Sequence, residues 1–210
     1  TFSDGKLNTL IKDEFCRGKK VFETFIENGA NEDILYSYKP HIGTNLLRVV
    51  IRNMREKIIK MGGVFRYNTC LTDIIYDNNN LKQIEVNKNE LIDCEVLVLA
   101  IGHSARDTFY MLNNKLNMEA KPFAVGVRVA HKQNTIDESQ FGKKYKDILS
   151  PATYKLTYNN SSRGVYSFCM CPGGYIVNAS SEQNMLAING MSNHERESGF
   201  ANSAIVVTIT

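Results

Sequence analysis

The run Glu95–Phe109, EVLVLAIGHSARDTF, constrains the fold more than any other part of the chain. Val96–Ala100 is apolar without polar alternation, the pattern of a strand buried on both faces in a parallel sheet. Gly102 follows, where the backbone can turn sharply or approach a ligand closely. Ser104 is placed to cap a helix, with Asp107 favourable in its first turn. A buried strand, a glycine and a helix N-terminus is the arrangement at which open α/β sheets bind ligands. An ordinary strand–turn–helix without a ligand has the same pattern.

Around this run the chain predicts two kinds of architecture. A helix is expected over Lys20–Asn28, ending near Gly29, and YKPHIGT (38–44) is a loop. From Asn45 the residues Leu47, Val50, Ile51, Met54, Ile58 and Met61 fall on one helical face. Thr44 is the expected cap, and Gly62–Gly63 the stop. Short strands follow at Val64–Tyr67, Asp73–Tyr76 and Leu81–Val86, the last two joined by a turn at Asp77–Asn80. After Lys121 alternating strands dominate: Phe123–His131, Ala152–Tyr158, Gly164–Met170, Tyr175–Ala179, Met185–Asn189 and Ala204–Ile209, with a short helix at Gln140–Lys146. The expected fold class is α/β plus antiparallel β.

Of the 210 residues 43% are hydrophobic and 22% charged, and the formal net charge is +3. This argues against a dedicated nucleic-acid binder, which concentrates Lys and Arg on one face. No apolar stretch approaches the roughly 20 residues that span a bilayer. The first residues lack the charged start and apolar stretch of a signal peptide. Five cysteines, an odd number without a secretion signal, fit reduced thiols in a cytoplasmic protein. Cys169 and Cys171 on a regular strand would face the same side. The Pro172-Gly173-Gly174 string after them suggests a tight turn presenting a thiol or an amide; a plain core strand is the alternative.

The runs TFSDGKLNT, YKPHIGTNLLRVV, VLAIGHSARDTFYML, AKPFAVGVRVAH and GVYSFCMCPGGYIVNASSE, continuing through NGMSNHERESGFANSAIVV, carry a resemblance. The chain resembles bacterial FAD-dependent dehydrogenases called NAD(FAD)-utilizing, two-domain flavoproteins of the glutathione-reductase type. One departure is Leu10, where that pattern has Arg. The resemblance implies a partial, Rossmann-like FAD-binding domain over 1–120, a mostly antiparallel substrate or cap domain over 121–200, and a strand over 201–210 returning toward the FAD domain. Such proteins hold the FAD pyrophosphate on a GxGxxG turn, which this sequence lacks. The chain is therefore expected to be an internal fragment that binds FAD weakly or not at all in isolation.

The resemblance also assigns residues. Thr1, Phe2, Ser3, Asp4, Gly5 and Lys6 would pass along the cofactor; a disordered cut end is the alternative. Leu71, within TCLTD, would contact adenine, although a plain edge strand explains that segment equally. Ala100, Ile101, Gly102 and His103 would lie against the adenosine. Lys39 and His41 would sit near the isoalloxazine, where a cation or a proton donor is useful, or would only shape the loop. Cys171 is a candidate redox thiol. Asn189, Ser192 and Arg196, with Asn202 and Ser203, would line a substrate pocket, Arg196 pairing with a carboxylate; a solvated loop is the alternative. The implied activity is hydride transfer between a small-molecule substrate and FAD, with NAD(P) use implied by the family label alone. The alternatives are a flavoprotein of RNA modification or recognition, and a non-enzymatic domain that has lost flavin. No metal, nucleic-acid or membrane partner is expected.

Overall fold

The computed structural model describes residues 3–9, 12–144, 146, 148–160 and 163–209. Thr1, Phe2 and Leu10 lie outside the described residues. The chain divides into two compact units, residues 1–62 with 122–210, and residues 63–121. These limits differ from the expected division at 120, because the first 62 residues fold with the second half.

In the first unit, α1 (Arg17–Glu27) starts three residues before the expected position. The Asp13 carboxylate accepts hydrogen bonds from the amides of Arg17 and Gly18 at 2.8 and 2.6 Å, which satisfies amides that a helix start leaves open. α2 (Thr44–Lys60) begins at Thr44 itself, with Gly43 in the cap position. Val50 is fully buried, and Leu47 and Met54 pack with it against Ala30, Ile34 and Ile42. Ile51, Ile58 and Met61, expected on the same apolar face, are exposed.

Four strands form an antiparallel sheet in the order β4 (Phe123–Lys132), β9 (Phe200–Ile209), β6 (Gly164–Cys171), β5 (Thr157–Asn159). β4 and β9 pair over ten residues, from Phe123–Ile209 to Lys132–Phe200. The terminal strand is thus central in this sheet. β7 (Gly174–Asn178) and β8 (Ile188–Ser192) form a separate antiparallel pair. The helix expected at Gln140–Lys146 lies earlier, as α4 (Gln133–Phe141). There Gln133 donates to Asp137 at 2.7 Å and Asn134 to Glu138 at 3.1 Å, both i,i+4 pairs.

The second unit is a three-stranded antiparallel sheet, β1 (Leu71–Asp77), β2 (Asn80–Val86) and β3 (Glu90–Asp93), followed by α3 (Arg106–Asn113). Asn78 and Asn79 take positive φ in the β1–β2 turn, which asparagine tolerates better than most residues. α3 packs on β1, and Lys115 pairs with Asp73 at 2.9 Å. The expected strand Val64–Tyr67 is irregular. So is Val96–Ala100, where Val96 and Val98 are about 80% exposed (80% and 81%). An unalternating apolar run becomes a buried strand only with neighbours on both edges, and no described segment pairs with it. Every sheet pairing among the described residues is antiparallel. No helix of the described residues is long and apolar enough to cross a membrane.

Candidate functional site

Two extended segments bring the polar cluster of the first unit together. The amide of Ile42 donates to Gly5 O at 2.9 Å and that of Leu7 to Pro40 O at 3.0 Å, with a bridge between Lys6 and His41. Residues two apart on an extended segment share a side, so Asp4 and Lys6 both meet what the sheet presents. Cys171 comes from the end of β6 and Ser192 from the end of β8.

Asp4 is the hub. Its Oδ1 accepts from the Ser192 amide at 2.6 Å, the Ser192 hydroxyl at 3.0 Å and His41 Nε2 at 3.1 Å. Its Oδ2 lies 2.6 Å from Lys6 Nζ, which also donates to Cys171 Sγ at 2.9 Å. Burial alone would raise the Asp4 carboxyl; the His41 hydrogen bond, the Lys6 charge and the Ser192 amide outweigh it and hold the group well below the usual carboxylate range. Burial likewise opposes the Lys6 charge, but Asp4 beside it keeps the ammonium above its ordinary value. Burial pushes the Cys171 thiol up against the pull of Lys6.

Ser, His and Asp meet here without forming a nucleophilic triad. His41 faces both the Asp4 carboxylate, at 3.1 Å, and the Ser192 hydroxyl, at 3.3 Å, with the same nitrogen, Nε2, whereas a triad base meets its serine and its carboxylate with opposite ring nitrogens. All three side chains are buried. The cluster therefore fixes charge and geometry.

Cys169 and Cys171 do not share a side, contrary to the regular-strand expectation. The β6–β9 register shifts between Phe168 and Cys171, and Cys169 takes φ +46°. This irregularity breaks the two-residue alternation. Cys169 is exposed, whereas Cys171 faces the cluster with no exposure. The expected tight turn is present at Pro172–Gly173. Gly173 is required there: its φ is +52°, and a Cβ would overlap the carbonyl of Arg196.

Arg128, which the sequence reading did not single out, organises the other side. Its Nη1 donates to Asn202 Oδ1 at 2.6 Å and to Cys169 O at 3.2 Å, and its Nη2 reaches Asn189 Oδ1 at 3.4 Å. A charged residue inside the apolar strand FAVGVRVAH was the available signal.

Beside the cluster lies a cavity of about 490 Å³ whose lining includes Lys6, Lys39, Thr153, Lys155, Cys169 and Arg196. α4 holds two of its walls. Gln133 donates to Ala152 O at 3.0 Å and accepts from the Gly173 amide at 2.9 Å; Asp137 accepts from the Ala152 amide at 2.7 Å. The loop bearing Arg196 is tied to α2, since Asn45 accepts from the His194 amide at 3.0 Å and donates to Glu195 at 3.1 Å. Lys39 donates to the Thr153 hydroxyl at 3.0 Å. His41, grouped with Lys39 in the sequence, is instead buried on Asp4.

A second recess, of about 540 Å³, is lined by Ser3, Thr44, Leu47, Arg48, Ile51, Arg52 and Arg55. The Thr44 hydroxyl is buried there with no hydrogen-bond partner. An orphaned hydroxyl, the start of α2 and three guanidiniums are a donor set that fits a diphosphate such as that of FAD. The Gly5 amide donates to Ser3 Oγ at 3.2 Å.

Leu71, Ala100, Ile101, Gly102 and His103 belong to the second unit. Leu71 opens β1 opposite Val86. Gly102 has φ +67° and open space around its Cβ position, and His103 is exposed.

Residues 122–210 match the family model described as FAD-dependent protein, C-terminal domain-like. The whole chain is 48% identical, over 213 residues, to a Clostridium beijerinckii protein described as uncharacterized, and spans 39% of that protein's length. The family match includes β4, β6, β8 and β9, which supply Arg128, Cys171, Ser192 and Asn202. The similarity to this family extends over residues 122–210, less than half of the chain.

Proposed function

We propose that the chain is part of a FAD-dependent oxidoreductase of the glutathione-reductase type, acting on a small-molecule substrate. The observation that carries this reading is the match of residues 122–210 to a FAD-dependent protein family. Bound FAD would supply the hydride-exchanging centre. Ser3, Thr44, Arg48, Arg52 and Arg55 would hold its diphosphate, a role supported by their donor chemistry and the orphaned Thr44 hydroxyl. The Asp4–Lys6–His41–Ser192 network would keep Lys6 charged at the edge of the neighbouring cavity, and Cys171 would remain a thiol behind it. The reading includes a Rossmann-like FAD-binding part, which the exposed apolar run Val96–Ala100 suits as a strand flanked on both edges. It does not include NAD(P), for which these findings give no support.

The test is FAD affinity in the full-length gene product and in its Arg52→Gln/Arg55→Gln variant. Loss of two charge-assisted contacts should weaken FAD binding by roughly tenfold or more. A double variant that retains FAD as the parent does would remove this recess from the cofactor site.

A further inference from the structure

The cavity beside the polar cluster has a charge that the flavin reading does not use. Four cationic side chains, Lys6, Lys39, Lys155 and Arg196, line it, and among the described residues its lining contains no Asp or Glu. Lys6 has a carboxylate partner, Asp4, while Lys39 is held by a hydroxyl. Arg196 lines the same cavity with its Nε buried and without a hydrogen-bond partner. A buried donor left unmade is costly, and like charges gathered in a concave, half-enclosed space repel one another. An anion relieves the repulsion and offers acceptors to the accessible part of the Arg196 guanidinium. The arrangement is also built: Gln133 and Asp137 fix the Ala152 and Gly173 backbones, Gly173 abuts the Arg196 carbonyl, and Asn45 ties down the loop that carries Arg196.

We propose that this cavity binds a small organic polyanion carrying two or more carboxylate or phosphate groups. Arg196 supplies planar, paired donors for one oxyanion, and Lys39 and Lys155 act as point charges for another. The volume of about 490 Å³ lies in the range of small-ligand sites and excludes a folded macromolecular partner from its interior. The Ser167–Met170 stretch of β6 shapes one wall without adding negative side chains. The inference does not depend on flavin binding; an anion would occupy this site in flavin-free protein.

Isothermal titration at constant ionic strength tests it, in the flavin-free Arg52→Gln/Arg55→Gln background, where the recess on α2 has lost two of its guanidiniums, with tricarballylate and inorganic pyrophosphate as probes. One-to-one binding of either is expected, weakened by about tenfold or more in each of Arg196→Gln and Lys155→Gln. Stronger binding of tricarballylate identifies carboxylates as the preferred groups, and stronger binding of pyrophosphate identifies phosphates. Lys82→Gln, an exposed change in the second unit, should leave the affinity unchanged. Lys155 is exposed, so its variant keeps the fold even if Arg196→Gln does not; circular dichroism checks both. The proposal is overturned by no one-to-one binding of either probe at millimolar concentration, by binding that Lys155→Gln and a folded Arg196→Gln leave intact, or by binding lost in Lys82→Gln.

Discussion

The Lys6 ammonium lies 2.6 Å from Asp4 Oδ2, with side-chain exposures of 24% and 10%. This pair joins the first residues of the chain to the far ends of β6 and β8. Breaking it by Asp4→Asn leaves a mostly buried cation without its counter-charge. The variant should lose about 3 kcal/mol of unfolding free energy. Urea denaturation measures this; a loss below about 0.5 kcal/mol would show that the pair adds little.

Acid should expose the same carboxylate. Asp4 is held below its ordinary pKa, so the folded state binds fewer protons than the unfolded state in acid. Its contribution is present above the unfolded value of about 3.9 and fades as pH falls through that value toward the folded one. Melting temperatures from pH 7 down to 2.5 should fall more steeply for the parent than for Asp4→Asn. Parallel curves would contradict the assignment, because Asp73 and Glu138, also held below their usual range, act in both proteins.

Local elements of the fold were legible in the sequence, and the setting of this pair was not. The spacing of apolar residues located α2, and the asparagine-rich turn located the β1–β2 hairpin, because both signals are local. The pairing of β4 with β9 joins segments some 70 residues apart, and nothing in either strand names its partner. Asp4 was grouped with cofactor contacts; that His41, Lys6 and Ser192 occupy its oxygens follows from tertiary placement. The CMC alternation failed for a local reason, a register shift that takes Cys169 out of step. Val96–Ala100 has the composition of a buried strand, but burial depends on neighbours that composition cannot supply.

Thiol chemistry should report that register shift. Cys16, Cys70 and Cys169 are exposed, and Cys171 is fully buried with its thiol pushed up. A disulfide reagent should modify Cys169 quickly in the native protein and Cys171 only in denaturant. Mass mapping distinguishes the two, and equal native rates would mean that both face the same side.

Gly173→Ala should destabilise the first unit by more than about 2 kcal/mol, since it combines an unfavourable φ with a clash at the Arg196 carbonyl. Gly102→Ala also adds a Cβ at positive φ, but into open space, and should cost less. Equal losses in thermal or chemical unfolding would show that backbone strain, and not the contact with Arg196, decides both.

The flavin content of the full-length gene product tests the functional account most directly. The protein, incubated with FAD and passed through gel filtration, should retain the flavin absorbance bands at one FAD per chain. A colourless protein that takes up no FAD under those conditions would contradict it.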